Sequence, residues 1–263
     1  MNNIDVAKNI NILGRFCGKR DITNLTKEAL LEKYGIEQAD VMVLFGGSII
    51  AGGDVMAKAI KDGIAKKYII VGGIGHTTET LQKKVNEEYY DIETKGLAEA
   101  EIFQRYIKFM YGCEADYLET KSTNCGNNIT YLLDLLREKE IDFNSIIISQ
   151  DASMQNRMDA VLRKYVQDSV IINYATYFAT VVNKDQELSY DEPIHGMWTI
   201  ERYVNLLMGE IPRLSDDLNG YGPKGKNYIA HVCIPEDVRN AFEELKKVYG
   251  SEVRKANPLY ASK

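Results

Sequence analysis

The stretch Asp40-Val41-Met42-Val43-Leu44-Phe45-Gly46-Gly47-Ser48 runs from an unbroken apolar strand straight into a glycine turn. Consecutive apolar residues without polar alternation mark a strand buried on both faces, as in the parallel sheets of α/β proteins. A second strand, Tyr68 to Val71, ends the same way in Gly72-Gly73-Ile74-Gly75-His76-Thr77. Glycine has no Cβ, so a turn built from it lets backbone N–H groups approach a ligand closely. Two such turns read as walls of one mouth for a nucleotide-like or anionic small molecule.

Outward from these strands, apolar runs alternate with amphipathic segments. Residues 4–18 and 24–34 read as helices, the second capped by Asn24 or Thr26. A helix from Asp54 to about Ala65 separates the two strands, and helices from Thr77 or Thr78 to about Glu88 and from Leu97 to Tyr111 follow the second. Tyr117-Leu118-Glu119 is a weak third strand; Ser145 to Ser149 is a strongly β-branched fourth and Val170 to Tyr174 a fifth, with helices between them. The pattern predicts an α/β, Rossmann-like open parallel sheet of about five strands with helices on both faces, plus a smaller, mainly helical C-terminal extension. The division is 1–36 for N-terminal helices packed on the core, 37–180 for the core, and 181–263 for an extension or lid. Within the last, 183–193 is expected to be looped, Trp198 to Met208 helical, 209–223 a long turn-rich segment, Ile229 to Ile234 a strand and Pro235 to Tyr249 a helix.

In such sheets ligands bind beyond the carboxyl ends of the strands. The loops there hold Gly46, Gly47 and Ser48; Gly72, Gly73, Gly75, His76 and Thr77; Ser122, Thr123, Asn124, Asn127 and Asn128; and Asp151, Gln155 and Arg157. Each has a structural reading beside the ligand-binding one. A glycine pair serves a tight turn, Asn124 caps a helix, His76 caps or faces solvent, and Asp151 closes its loop by an ion pair with Arg157. Three amides with Ser122 and Thr123 exceed what one cap needs, and Arg157 suits bidentate binding of a carboxylate. The Gly-x-Gly-x-x-Gly fingerprint and the acidic residue after the second strand are both missing, so a conventional dinucleotide site is not expected.

Taken in order, the glycine pairs, the turn Ser122-Thr123-Asn124-x-Gly126-x-Asn128 and Met154-Gln155-x-Arg157 resemble the SanA/ElyC/YdcF superfamily, its YdcF branch above all. The tail is similar too, in Gly196-x-Trp198-x-x-Glu201-Arg202-Tyr203, Gly209-Glu210-x-Pro212-Arg213-Leu214-x-Asp216-Asp217 and Gly220-Tyr221-Gly222-Pro223-x-Gly225. The resemblance implies a Rossmann-like core and binding of S-adenosylmethionine. It also keeps Glu99 as a candidate site member, although Glu99 and Glu101 otherwise read as surface carboxylates favoured at a helix start. One departure is Ser153-Met154-Gln155, where much of the superfamily carries a histidine.

Composition narrows the partners. The 32 basic and 38 acidic residues give a net charge of −6, which does not favour nucleic acid. No run approaches a membrane span and no signal-peptide core is visible, so a cytoplasmic protein with a small-molecule ligand is expected; the oligomeric state stays open. Cys17, Cys113, Cys125 and Cys233 lie far apart, and the three histidines His76, His195 and His231 are scattered, so no metal is expected. Three functions remain: binding of S-adenosylmethionine or a similar adenosyl ligand, with a possible transferase activity; hydrolysis or transfer on a phosphorylated envelope or nucleotide metabolite, with His76 or Asp151 as acid or base; and non-catalytic sensing of a ligand. His76, Asp151 and Glu99 are the catalytic candidates.

Overall fold

The computed structural model describes residues 2–75 and 77–250. Its five parallel strands are β1 (Ala39–Phe45), β2 (Ala65–Val71), β3 (Tyr117–Glu119), β4 (Ser145–Ser149) and β5 (Val170–Asn173), in the order β3-β2-β1-β4-β5. The expected α/β, Rossmann-like fold is what forms. The helices are α1 (Asn3–Cys17), α2 (Lys27–Tyr34), α3 (Ala51–Asp62), α4 (Thr78–Glu88), α5 (Glu99–Tyr111), α6 (Cys125–Glu138), α7 (Gln155–Tyr165), α8 (Ile200–Leu214) and α9 (Glu236–Tyr249).

Side chains alternate across a strand, so a central strand must be apolar at every position when both faces are covered. Val41, Val43 and Phe45 of β1, with Ile69 and Ile146 beside them, pack against α1, α6, α7, α8 and α9. Met42 and Leu44, with Ile70 and Ile147, pack against α2, α3, α4 and α5. The chain leaves β1 toward β2 on one side and returns to β4 on the other. That reversal opens a crevice at the carboxyl ends of β1 and β4, the place where open α/β sheets bind ligands.

Three expectations for the tail need correction. Residues 181–190 form an antiparallel hairpin, β6 (Val181–Lys184) and β7 (Glu187–Tyr190), where a loop was expected. Its two-residue turn, Asp185-Gln186, has φ of 51° and 66°, the left-handed geometry that matches strand twist. Mostly exposed polar residues hide this hairpin from a hydrophobicity reading, and the side chain of Asn11 bonds both the N–H and the C=O of Val181. Next, α8 continues through Gly209 and Pro212, which had read as breakers. Burial of Met208, Ile211 and Leu214 overrides their low propensity, and Arg213 donates to the Gly209 carbonyl within this last turn. Finally, 229–234 is no strand: Ile229 and Ile234 are buried singly, and the backbone N–H of Ala230 bonds Ala160 of α7.

Candidate functional site

The turn after β1 is a floor for two carboxyl groups. Gly46 donates its N–H to Val71, and a Cβ placed on Gly46 would lie 2.5 Å from Glu99 Oε2 and 3.2 Å from the Cα of Gly72. A Cβ on Gly47 would lie 3.0 Å from Asp151 Oδ2. Glycine is required here because a carboxylate from α5 and another from the end of β4 come down onto the backbone. Gly72 donates to Glu119 and Gly75 to the Thr78 hydroxyl, so these glycine N–H groups are engaged within the fold.

Glu99 opens α5 and is 6% exposed. Its Oε1 accepts hydrogen bonds from the hydroxyls of Thr77 (2.7 Å) and Thr78 (3.0 Å). Burial pushes its pKa up to about 7; the threonines oppose the rise and the neighbouring Asp151 adds to it. Asp151 is equally enclosed, and burial lifts it to about 6 against the pull of Tyr177, Lys84 and the Ser48 N–H. Two carboxyl groups at one rim therefore titrate close to neutral pH, which suits acid–base work, and in their ionised forms they attract a cation. Once ionised they oppose an anion, contrary to the anionic occupant that the glycine turns alone suggest.

A lysine and a strap from the tail complete the rim. Lys84, in the middle of α4, donates to the Ser48 carbonyl at 3.2 Å and to that of Gly196, with its ammonium 4.2 Å above the Trp198 ring. Burial lowers its pKa, while Asp151 and Glu88 oppose the fall. The strap, residues 194–198, is pinned again by His195. Its Nδ1 lies 2.9 Å from Asp54 and its Nε2 2.7 Å from Glu88, while Tyr106 and Tyr111 donate to the other oxygen of Asp54. Trp198 is thus packed between Lys84 and Arg202.

The structure thus gathers Gly46, Gly47, Ser48, Gly72, Thr77, Glu99 and Asp151. His76 lies outside the described residues. In the third loop, Asn124 caps α6 by accepting from the Asn127 N–H, and its amide donates to Asn127 Oδ1 at 2.7 Å; Thr123 donates to the same oxygen. Asn128 is buried, and so is Ser122, whose N–H goes to Glu119 while its hydroxyl finds no partner. A Cβ on Gly73 would lie 2.2 Å from the Ser122 carbonyl, so that glycine serves the packing of this loop on the next.

Gln155 and Arg157 have partners inside the protein. Gln155 spans the Gln150 N–H, the Ile148 carbonyl and Asn173, closing the end of the sheet. Arg157 pairs with both oxygens of Glu210 at 2.5 and 3.0 Å, in place of either the Asp151 ion pair or the ligand carboxylate that the sequence leaves open, and so ties α7 to α8. The sequence reading passed over Lys84 and Tyr177. Lys84 gives no signal, standing beside Lys83 in an ordinary amphipathic helix. Tyr177 was within reach, because the rim rule extends to the segment after β5.

Among the described residues no group of three or more His, Cys, Asp or Glu side chains is placed to hold a metal ion. Nor is any helix among them long and apolar enough to cross a membrane. No protein-family model matches the chain.

Proposed function

We propose that this is a YdcF-like member of the SanA/ElyC/YdcF superfamily that binds a small, positively charged ligand at the carboxyl ends of β1, β2 and β4, namely S-adenosylmethionine or a close adenosyl relative. The observation that carries the reading is the buried pair Glu99 and Asp151 over the Gly46-Gly47 turn. Two carboxyl groups in a poorly solvated rim favour a sulfonium or an ammonium and oppose a phosphate. The position is the crevice that open α/β sheets use. Calorimetry tests the charge preference: S-adenosylmethionine should bind to the wild-type chain, and adenosine triphosphate should not. Preference for the triphosphate, or no heat with S-adenosylmethionine near millimolar concentration, sinks the reading.

A second reading rests on proton affinity. Carboxyl groups at about 6 and about 7 can exchange protons efficiently near neutrality. Hydrolysis or transfer on a phosphorylated metabolite would then appear as turnover on a panel of phosphate and diphosphate esters, lost in Asp151→Asn. Binding of S-adenosylmethionine without turnover on any acceptor returns a ligand sensor.

A further inference from the structure

Behind the Gly46-Gly47 turn stand three buried polar atoms that make no hydrogen bond of normal geometry. They are Ser48 Oγ, Asp151 Oδ1 and the Tyr177 hydroxyl, on residues 0%, 8% and 4% exposed. They come from three separate stretches of chain: the turn after β1, the residues after β4, and the segment after β5. They also converge: the Asp151 carboxyl receives the Ser48 N–H and a long, weak approach from the Tyr177 hydroxyl, which the Ser153 N–H also approaches, while Oδ2 closes on Gly47. Buried polar groups are almost always satisfied, and an unmade hydrogen bond in the interior is costly. Three together at the mouth of a sheet point to a group brought from outside.

We infer that Ser48, Asp151 and Tyr177 form a socket for a primary ammonium group of the ligand. The inference rests on the reading of this rim as a site for a cationic small molecule. An ammonium carries three N–H donors and no acceptor, and each of the three protein oxygens can accept. The Asp151 carboxylate supplies the opposite charge, and the two hydroxyls share out the remaining donors. A ligand hydroxyl brings one donor and leaves two oxygens unmet. A phosphate brings acceptors and negative charge against Asp151 and Glu99. The protein's own nearby ammonium, Lys84, is engaged with the Ser48 and Gly196 carbonyls and with the Trp198 ring.

The experiment compares two probes and a control ligand on three proteins. S-adenosylmethionine carries the ammonium beside a carboxylate, and 5′-methylthioadenosine keeps the adenosyl part and lacks both; decarboxylated S-adenosylmethionine, which keeps the ammonium without the carboxylate, is the control and must show the same loss as S-adenosylmethionine. Affinities are measured by calorimetry near neutral pH for the wild type, Tyr177→Phe and Ser48→Ala, with circular dichroism to confirm folding. Removing one acceptor from a charged hydrogen-bonded group should weaken S-adenosylmethionine about tenfold or more and leave 5′-methylthioadenosine unchanged. Ser48→Ala removes only one buried oxygen and keeps the test valid if Tyr177→Phe fails to fold. Equal losses for both probes, or no loss for either, overturn the socket while the adenosyl site stands. A wild type that binds neither probe overturns that site and the socket with it.

Discussion

Glu99→Gln separates what this carboxyl does for the fold from what it does for a ligand. Glutamine keeps the oxygen that accepts from the Thr77 and Thr78 hydroxyls and removes the charge. Burial raises the Glu99 pKa from its ordinary 4.5 to about 7, so the folded protein holds this proton more tightly than the unfolded chain does. The wild type must therefore lose stability as pH rises from about 4.5 to about 7 and level off above that, by about 3 kcal/mol for this one group. The variant lacks the loss. Urea denaturation across a pH series reads the difference. Near pH 4 the two proteins should match within about 0.5 kcal/mol, and near pH 8 the variant should be the more stable by about 2–3 kcal/mol. Removing the charge also eases ionisation of Asp151, which acts in the same direction. A difference that does not change with pH, or a variant weaker than wild type near pH 8, refutes the reasoning. A native residue that destabilises its own fold at working pH is characteristic of a group retained for function.

Glu210 is buried and the Arg157 side chain is 13% exposed, so Arg157→Ala should cost about 3–5 kcal/mol in urea denaturation by stranding the carboxylate, whereas Arg157→Met with Glu210→Leu should cost far less. Gly53→Ala should cost about 1–3 kcal/mol, because its Cβ would stand 2.6 Å from the Tyr106 ring, while Gly35→Ala, with φ of 69° and open space around it, should cost about 1–2 kcal/mol through backbone strain alone. Burial works against charging His195, but Asp54 and Glu88 outweigh it and raise its pKa. The latch it makes is complete below its ordinary 6.5 and is lost as pH rises through the raised value, so amide exchange in 194–198, corrected for intrinsic rates, should speed up in mild alkali; His195→Gln should remove that pH step.

The core was legible because the physics that builds it is local and repetitive. Val41 to Phe45, Tyr68 to Val71 and Ile146 to Ile148 are unbroken apolar runs, and only a strand covered on both faces demands that. Turn chemistry also told where helices begin: Thr26 and Asn124 cap α2 and α6 by accepting backbone N–H groups. The tail was harder to read. The hairpin at 181–190 relies on a left-handed turn of Asp and Gln and on Asn11 from α1, and neither shows in hydrophobic periodicity. Gly209 and Pro212 are helical because buried neighbours outweigh propensity.

At the rim, the missing Cβ atoms of Gly46 and Gly47 admit the Glu99 and Asp151 carboxyls, a different reason for glycine from the close approach of a ligand that the sequence suggests. Arg157 suits a ligand carboxylate or an ion pair with Asp151 by sequence, yet its bidentate partner is Glu210, in the next helix but several strands and loops away in sequence. Lys84 reaches the site only because α4 packs beside the β1 turn, a fact of tertiary structure.

Where the ligand sits decides most directly among these readings. A crystal structure of the chain grown with S-adenosylmethionine should show the ligand against Gly46 to Ser48, with its positive charge between Glu99 and Asp151. Density for it elsewhere, for example in the shallow 430 Å³ groove between α1 and β6, or an orientation that turns its positive groups away from both carboxyls, would contradict the proposal.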